Sequence, residues 1–125
     1  MKRDVKLFIQ DILEYVESIE NSTKDTTKAK FDKNNLLQDA TMRRLEIIGE
    51  ASKNIPSNIK ENHSEVPWKK IAGMRDILTH SYFKINSDRA WEVIKEDLPN
   101  LKKQIKRILE EIKLEELKKE KSSKT

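Results

Sequence analysis

Seven large apolar residues near the end of the chain, Trp91, Ile94, Leu98, Leu101, Ile105, Ile108 and Ile112, follow one another at alternating intervals of three and four. An α-helix turns by about 100° per residue, so this spacing puts all seven on one face, whereas a strand would scatter them over both. Pro99 falls inside the run. It removes one backbone donor and crowds the preceding turn, but the period continues past it, so a kink is expected rather than a stop. The whole sequence of 125 residues has two glycines and three prolines. A chain so poor in turn formers and so regular in its apolar spacing is expected to be all helix.

The upstream segments fit that class. Residues 4–20 carry Val5, Phe8, Ile12, Tyr15 and Ile19, flanked by Ile9, Leu13 and Val16, which is the wide stripe of an amphipathic helix. Residues 21–33 are polar and lose the period, which predicts a loop. A second helix is expected over Asn35–Lys53, burying Leu36, Leu37, Ala40, Leu45, Ile48 and Ala51. Gly49 inside it either marks the close approach of another helix or costs about 1 kcal/mol relative to Ala. The chain breaks at Asn54–Asn58, and residues 58–64 form a short helical turn. Pro67 suits the first position of a third helix running to about His80. Ser81–Asn86 form a connector, and Ser87 N-caps the last helix. From about Leu117 the pattern dissolves, so residues 1–118 read as one domain and 119–125 as a charged, flexible tail. The expected architecture is an antiparallel bundle of four to five helices. The strict heptad spacing fits packing between subunits of a dimer, or equally an ordinary core stripe.

Composition removes several classes of function. Without cysteine there is no disulfide framework and no thiolate metal site, and a reducing cytoplasm is the simplest location. The longest apolar run near the start is Leu7-Phe8-Ile9, too short for a signal peptide or a membrane span, so no membrane association is expected. Two histidines unlike a zinc pair and two glycines leave no metal centre or phosphate loop to propose. Glu46 and Glu50 stand one helical turn apart and could hold a divalent ion, but such carboxylates far more often face solvent or take part in surface ion pairs. The net charge of +4 spreads over 26 basic and 22 acidic residues, which permits contact with RNA without requiring it.

The third helix holds the one local anomaly. On a wheel of roughly 100° per residue, Ile71, Ala72, Leu78 and Tyr82 cluster around Trp68, and Arg75 falls about 20° from Trp68 inside that apolar arc. A guanidinium there either snorkels or forms a structural ion pair, or it points into a cleft or interface where it has a task. His80 lies about 140° around from Arg75, so the two converge only where the helix ends, where the arginine reaches across, or where two chains share a site.

The string Gly73-Met74-Arg75-Asp76-Ile77-Leu78-Thr79-His80-Ser81-Tyr82-Phe83 resembles the signature of HepT-type HEPN proteins: Arg, four residues, His, any residue, Tyr. Arg44-Leu45-Glu46-Ile47-Ile48-Gly49-Glu50-Ala51 and Asp97-Leu98-Pro99 resemble the same family, and the likeness covers nearly all of the chain up to about Leu117. The resemblance implies a HEPN-like bundle forming a symmetric homodimer, with Arg75 and His80 of both chains lining a shared cleft. It implies a toxin that cleaves RNA without a metal or other cofactor, by attack of the 2′-hydroxyl on the adjacent phosphate to leave a cyclic phosphate. It also implies a partner antitoxin, a minimal nucleotidyltransferase of the MntA type, which adenylylates Tyr82. Asp76 and Thr79 would support the cleft.

These side chains suit that chemistry. Arginine pairs bidentately with phosphate and stabilises charge developing in the transition state. Histidine exchanges protons near neutral pH. The alternative function is a non-catalytic HEPN module that binds nucleotide or a partner nucleotidyltransferase, and a third reading is a structural helical oligomer with Arg75 ion-paired.

Overall fold

The computed structural model describes residues 4–77 and 83–123, with side chains described for 4–75 and 87–123. Among the described residues all regular structure is helical. The elements are α1 (Val5–Thr23), α2 (Lys28–Lys33), α3 (Asn35–Lys53), α4 (Ser57–Asn62), α5 (Trp68–Ala72), a 3-10 turn (Gly73–Ile77), α6 (Phe83–Glu92), a π-turn (Val93–Asp97) and α7 (Leu98–Ser123). The expected all-α class holds.

Helix α1 starts where the Asp4 side chain accepts from the Lys6 N–H, and it buries Ile9, Ile12, Val16 and Ile19. It runs three residues past the expected end, closed by the Thr23 hydroxyl donating to the Ile19 carbonyl at 2.7 Å. The stretch expected to be a loop contains α2. Thr27 caps that helix by accepting from the Lys30 N–H, and Phe31 anchors it, fully buried with its ring 5.3 Å from that of Trp91. A single aromatic residue has no period, which is why the pattern hides this helix. Asn34 then serves two helices. Its N–H bonds the Phe31 carbonyl at the end of α2, and its side chain accepts from the Leu37 N–H at the start of α3.

Helix α3 has the expected bounds and lies at the centre, packed against α1 and, elsewhere along its length, against α5 and the 3-10 turn. Its buried face is not quite the expected one. Leu36 is 83% exposed, because it sits about 180° around the helix from buried Leu45. Polar Gln38 and Thr41 take core-facing positions instead, and Gln38 Nε2 is held by the Phe31 carbonyl at 2.6 Å.

Residues Phe83–Ser123 form one continuous helical run interrupted by the π-turn. Pro99 explains the interruption. It has no N–H for the carbonyl of Lys95, and its ring crowds that carbonyl. The turn before it widens, and the Leu98 N–H donates to Val93, one residue farther back than its α-helical partner. Helix continues beyond the proline, as its period requires. Ser87 is no N-cap, since α6 already begins at Phe83. It lies buried inside the helix and donates to Asp32 Oδ1 at 2.8 Å. Lys28 completes this clip between α2 and α6, with its Nζ 2.7 Å from Asp32 and 2.6 Å from Asp88.

Ile71, Met74, Ile94, Leu98, Leu101, Ile105 and Ile108 join the α1 and α3 residues in one buried core. Each such side chain contributes about 1.5–3 kcal/mol on burial. From Lys113 onward α7 is exposed through Ser123. No described helix is long and apolar enough to cross a membrane.

Candidate active site on the tightened turn

The third helix departs from the expected course in a way that bears on Arg75. Pro67 sits one residue before α5 rather than at its first position, and after Ala72 the backbone tightens into the 3-10 turn. Each 3-10 step rotates the chain about 20° more than an α step. Over Gly73, Met74 and Arg75 the excess reaches about 60°, which swings Met74 toward the side of Ile71 and carries Arg75 away from it. Met74 and Ile71 are accordingly buried, while the Arg75 side chain is 41% exposed. The tightened turn thus moves the guanidinium out of the apolar arc in which a uniform wheel places it.

Two adjacent residues of α3 receive this turn. Gly49 faces it so closely that a Cβ there would stand 3.0 Å from the Arg75 backbone nitrogen, 3.1 Å from the Ala72 carbonyl oxygen and 3.2 Å from the Arg75 Cβ. This is the close approach that a glycine in mid-helix allows. Glu50 follows, and its Oε1 accepts from Arg75 Nη1 at 2.5 Å. Both side chains are about half exposed, 41% for Arg75 and 51% for Glu50, so solvent screens the pair and it adds little to stability. Its effect is on geometry, because it fixes one corner of the guanidinium plane. Glu46, one turn earlier, lies 3.3 Å from Arg43. Both carboxylates thus take the ion-pair role open to them. Among the described residues no group of three or more His, Asp or Glu is arranged to hold a metal.

The Asp76 backbone belongs to the 3-10 turn, but its side chain lies outside the described set. Thr79, His80 and Tyr82 lie outside the described residues altogether. The third motif string has a structural role. Asp97 bonds Lys70 of α5 at 2.9 Å, Leu98 is fully buried, and Pro99 sets the π-turn. His63 is more constrained than a plain loop histidine. Its side chain is 12% exposed, Nε2 lies 2.9 Å from Glu111 of α7, and its carbonyl accepts from Trp68 Nε1 at 3.0 Å. The residue that sequence reasoning did not single out is Glu50 as the partner of Arg75. The adjacent Gly-Glu within the second motif string was its available signal.

A helical bundle that presents an arginine on a tightened turn, just ahead of a His-X-Tyr segment, is of the HEPN-like class. Comparison with known proteins specifies it further. The family described as ribonuclease HepT-like matches residues 12–108. The chain is 48% identical over 112 residues to the "Gamma-glutamylcyclotransferase and putative RNase" of Methanocaldococcus jannaschii, covering 90% of this chain and half the length of that relative. It is 43% identical over 111 residues to a "Putative RNase" of the same organism, covering 89% of this chain and 92% of the relative. It is 46% identical over 102 residues to the "Probable ribonuclease HepT" of Thermococcus cleftensis, covering 82% and 93%. No solved structure gives a significant match. The chain belongs to the HepT-like ribonuclease family.

Proposed function

We propose that this chain is the toxin of a toxin–antitoxin pair, an endoribonuclease that works without a metal at a cleft shared by two copies of the chain. The observation that supports this reading best is Arg75, carried on the 3-10 turn with its guanidinium half exposed and oriented by Glu50. His80 follows five residues on, within the same motif. In this reading the Arg75 guanidinium pairs with the scissile phosphate and offsets the charge that builds on it. His80 exchanges the proton of the 2′-hydroxyl or of the departing 5′-oxygen. The new bond joins the 2′-oxygen to phosphorus, the bond to the 5′-oxygen breaks, and the products are a cyclic phosphate and a 5′-hydroxyl. A two-fold axis bringing both copies of the motif together gives the symmetric dimer its role. Control lies at Tyr82. Adenylylation by an MntA-type minimal nucleotidyltransferase places a phosphate charge beside Arg75 and a purine in the cleft, blocking RNA by charge and by bulk.

The test is expression of wild type and His80→Ala from a tightly controlled promoter, followed by growth and RNA integrity. Wild type arrests growth and yields fragments ending in cyclic phosphate, with cleavage unaffected by EDTA. His80→Ala loses about 10²–10⁴-fold in rate. Equal RNA damage by both proteins refutes the catalytic assignment. Co-expression with the nucleotidyltransferase adds AMP to the intact mass of wild type and not to Tyr82→Phe. AMP on the mutant refutes the site of modification.

A further inference from the structure

We infer that Glu50 is a positioning residue for the reaction, holding the Arg75 guanidinium in the orientation that meets the scissile phosphate. This inference rests on the function proposed above for Arg75, but its geometric part does not.

Three features of the structure lead to it. Arg75 Nη1 donates to Glu50 Oε1 at 2.5 Å, a short charge-assisted bond across 25 residues of sequence. The two residues are exposed by 41% and 51%, so solvent screens the pair and its contribution to folding is slight. The backbones beneath are pressed together at Gly49, so the Arg75 Cβ has little room to drift from α3. A long, rotamer-rich arginine is thus restrained at its root by backbone packing and at its tip by a carboxylate. A guanidinium carries its five N–H donors in a rigid planar fork, so a carboxylate bound at Nη1 sets the plane in which the others lie. Ordering the fork before substrate arrives removes an entropic cost from the chemical step. The carboxylate touches neither RNA nor the reacting atoms in this scheme. It acts through Arg75.

A charge role and a positioning role predict different outcomes at the same atom. Gln retains an oxygen at the position of Oε1 and can still accept from Nη1, but it carries no charge. Ala retains neither.

The experiment is single-turnover and steady-state cleavage of a fluorescent RNA by the full chain and by Glu50→Gln, Glu50→Ala, Arg75→Ala and the double Glu50→Ala/Arg75→Ala variant. Misplacing a catalytic group by about 1 Å costs on the order of 10²-fold. Glu50→Ala therefore loses about 10- to 100-fold in kcat with KM nearly unchanged, and Glu50→Gln recovers most of it. In the Arg75→Ala background the loss of Glu50 has no further effect, because there is no guanidinium left to orient. An unchanged kcat in Glu50→Ala overturns the inference. An equal loss with and without Arg75 does so too, since that is what a general folding defect produces. The second readout is independent of catalysis. In nitrogen-15 spectra the Arg75 side-chain N–H resonances are ordered in wild type and in Glu50→Gln, and averaged in Glu50→Ala. If wild type fails to cut RNA but these resonances behave as stated, the proposed function falls and the positioning role stands. If they are identical in all three proteins, the positioning role falls whatever the activity.

Discussion

Gly49→Ala sets two calculable effects against each other. An alanine in a helix interior is favoured over glycine by about 1 kcal/mol. The added methyl would meet two backbone atoms, the Arg75 nitrogen at 3.0 Å and the Ala72 carbonyl oxygen at 3.1 Å, where ordinary contact begins at 3.4 Å. Backbone does not swing aside as a side-chain tip does, so the 3-10 turn must retreat by a few tenths of an ångström. Overpacking of this kind costs about 1–3 kcal/mol. The net expectation is a destabilisation of about 1 kcal/mol, seen as a fall in Tm of roughly 3–6 °C for a chain of this size. Gly73→Ala is the control. A Cβ at Gly73 meets nothing within 4 Å, and its backbone, at φ −71° and ψ −12°, is right-handed and suits any residue. That substitution is expected to stabilise by about 0.4–1 kcal/mol through the unfolded chain. Thermal unfolding of the two variants side by side therefore gives shifts of opposite sign. If Gly49→Ala raises Tm alongside Gly73→Ala, the close approach of α3 to the arginine-bearing turn is not what keeps glycine there.

Two further substitutions test the packing that supports the site. Phe31→Ala removes the fully buried anchor of α2 and its contact with Trp91, and is expected to cost about 3–5 kcal/mol in urea unfolding; a loss below 1 kcal/mol contradicts its place in the core. Lys28 is held above its ordinary value of 10.5, first by its hydrogen bond to Asp32 and then by that to Asp88. A raised folded-state value contributes stability below 10.5 and loses it as pH climbs through that higher value. Wild type should therefore exceed Lys28→Gln in stability at neutral pH, with the gap closing only in strong alkali, and a gap already closed by about pH 9 refutes the clip.

Periodicity located the long helices well because each buries a continuous stripe. The bounds of α3 and the run from Trp91 to Ile112 were legible for that reason. It failed where burial rests on isolated residues, as at Phe31, and where polar side chains take core positions, as at Gln38 and Thr41 while Leu36 faces solvent. The position of Arg75 on the helix surface was not legible from a uniform wheel, because the change to 3-10 geometry accumulates rotation within three residues. The motif arginine itself was legible. Its carboxylate partner stood in view as one of two glutamates a turn apart, and only the packing at Gly49 distinguishes Glu50 from Glu46.

The widened turn ahead of Pro99 divides the longest helical run into two lengths with different allegiances. Below it, α7 packs on α1; above it, α6 packs on α2, on α3 and on the 3-10 turn. The junction is held by longer-range backbone bonds and by the contact of Asp97 with Lys70. Such a junction lets one cooperative unit open while the other stays closed. Hydrogen exchange should then be graded along a single helix, with amides of α6 exchanging through local opening and those between Leu101 and Ile108 only through global unfolding. Opening of α6 then leaves intact the core that α7 builds with α1.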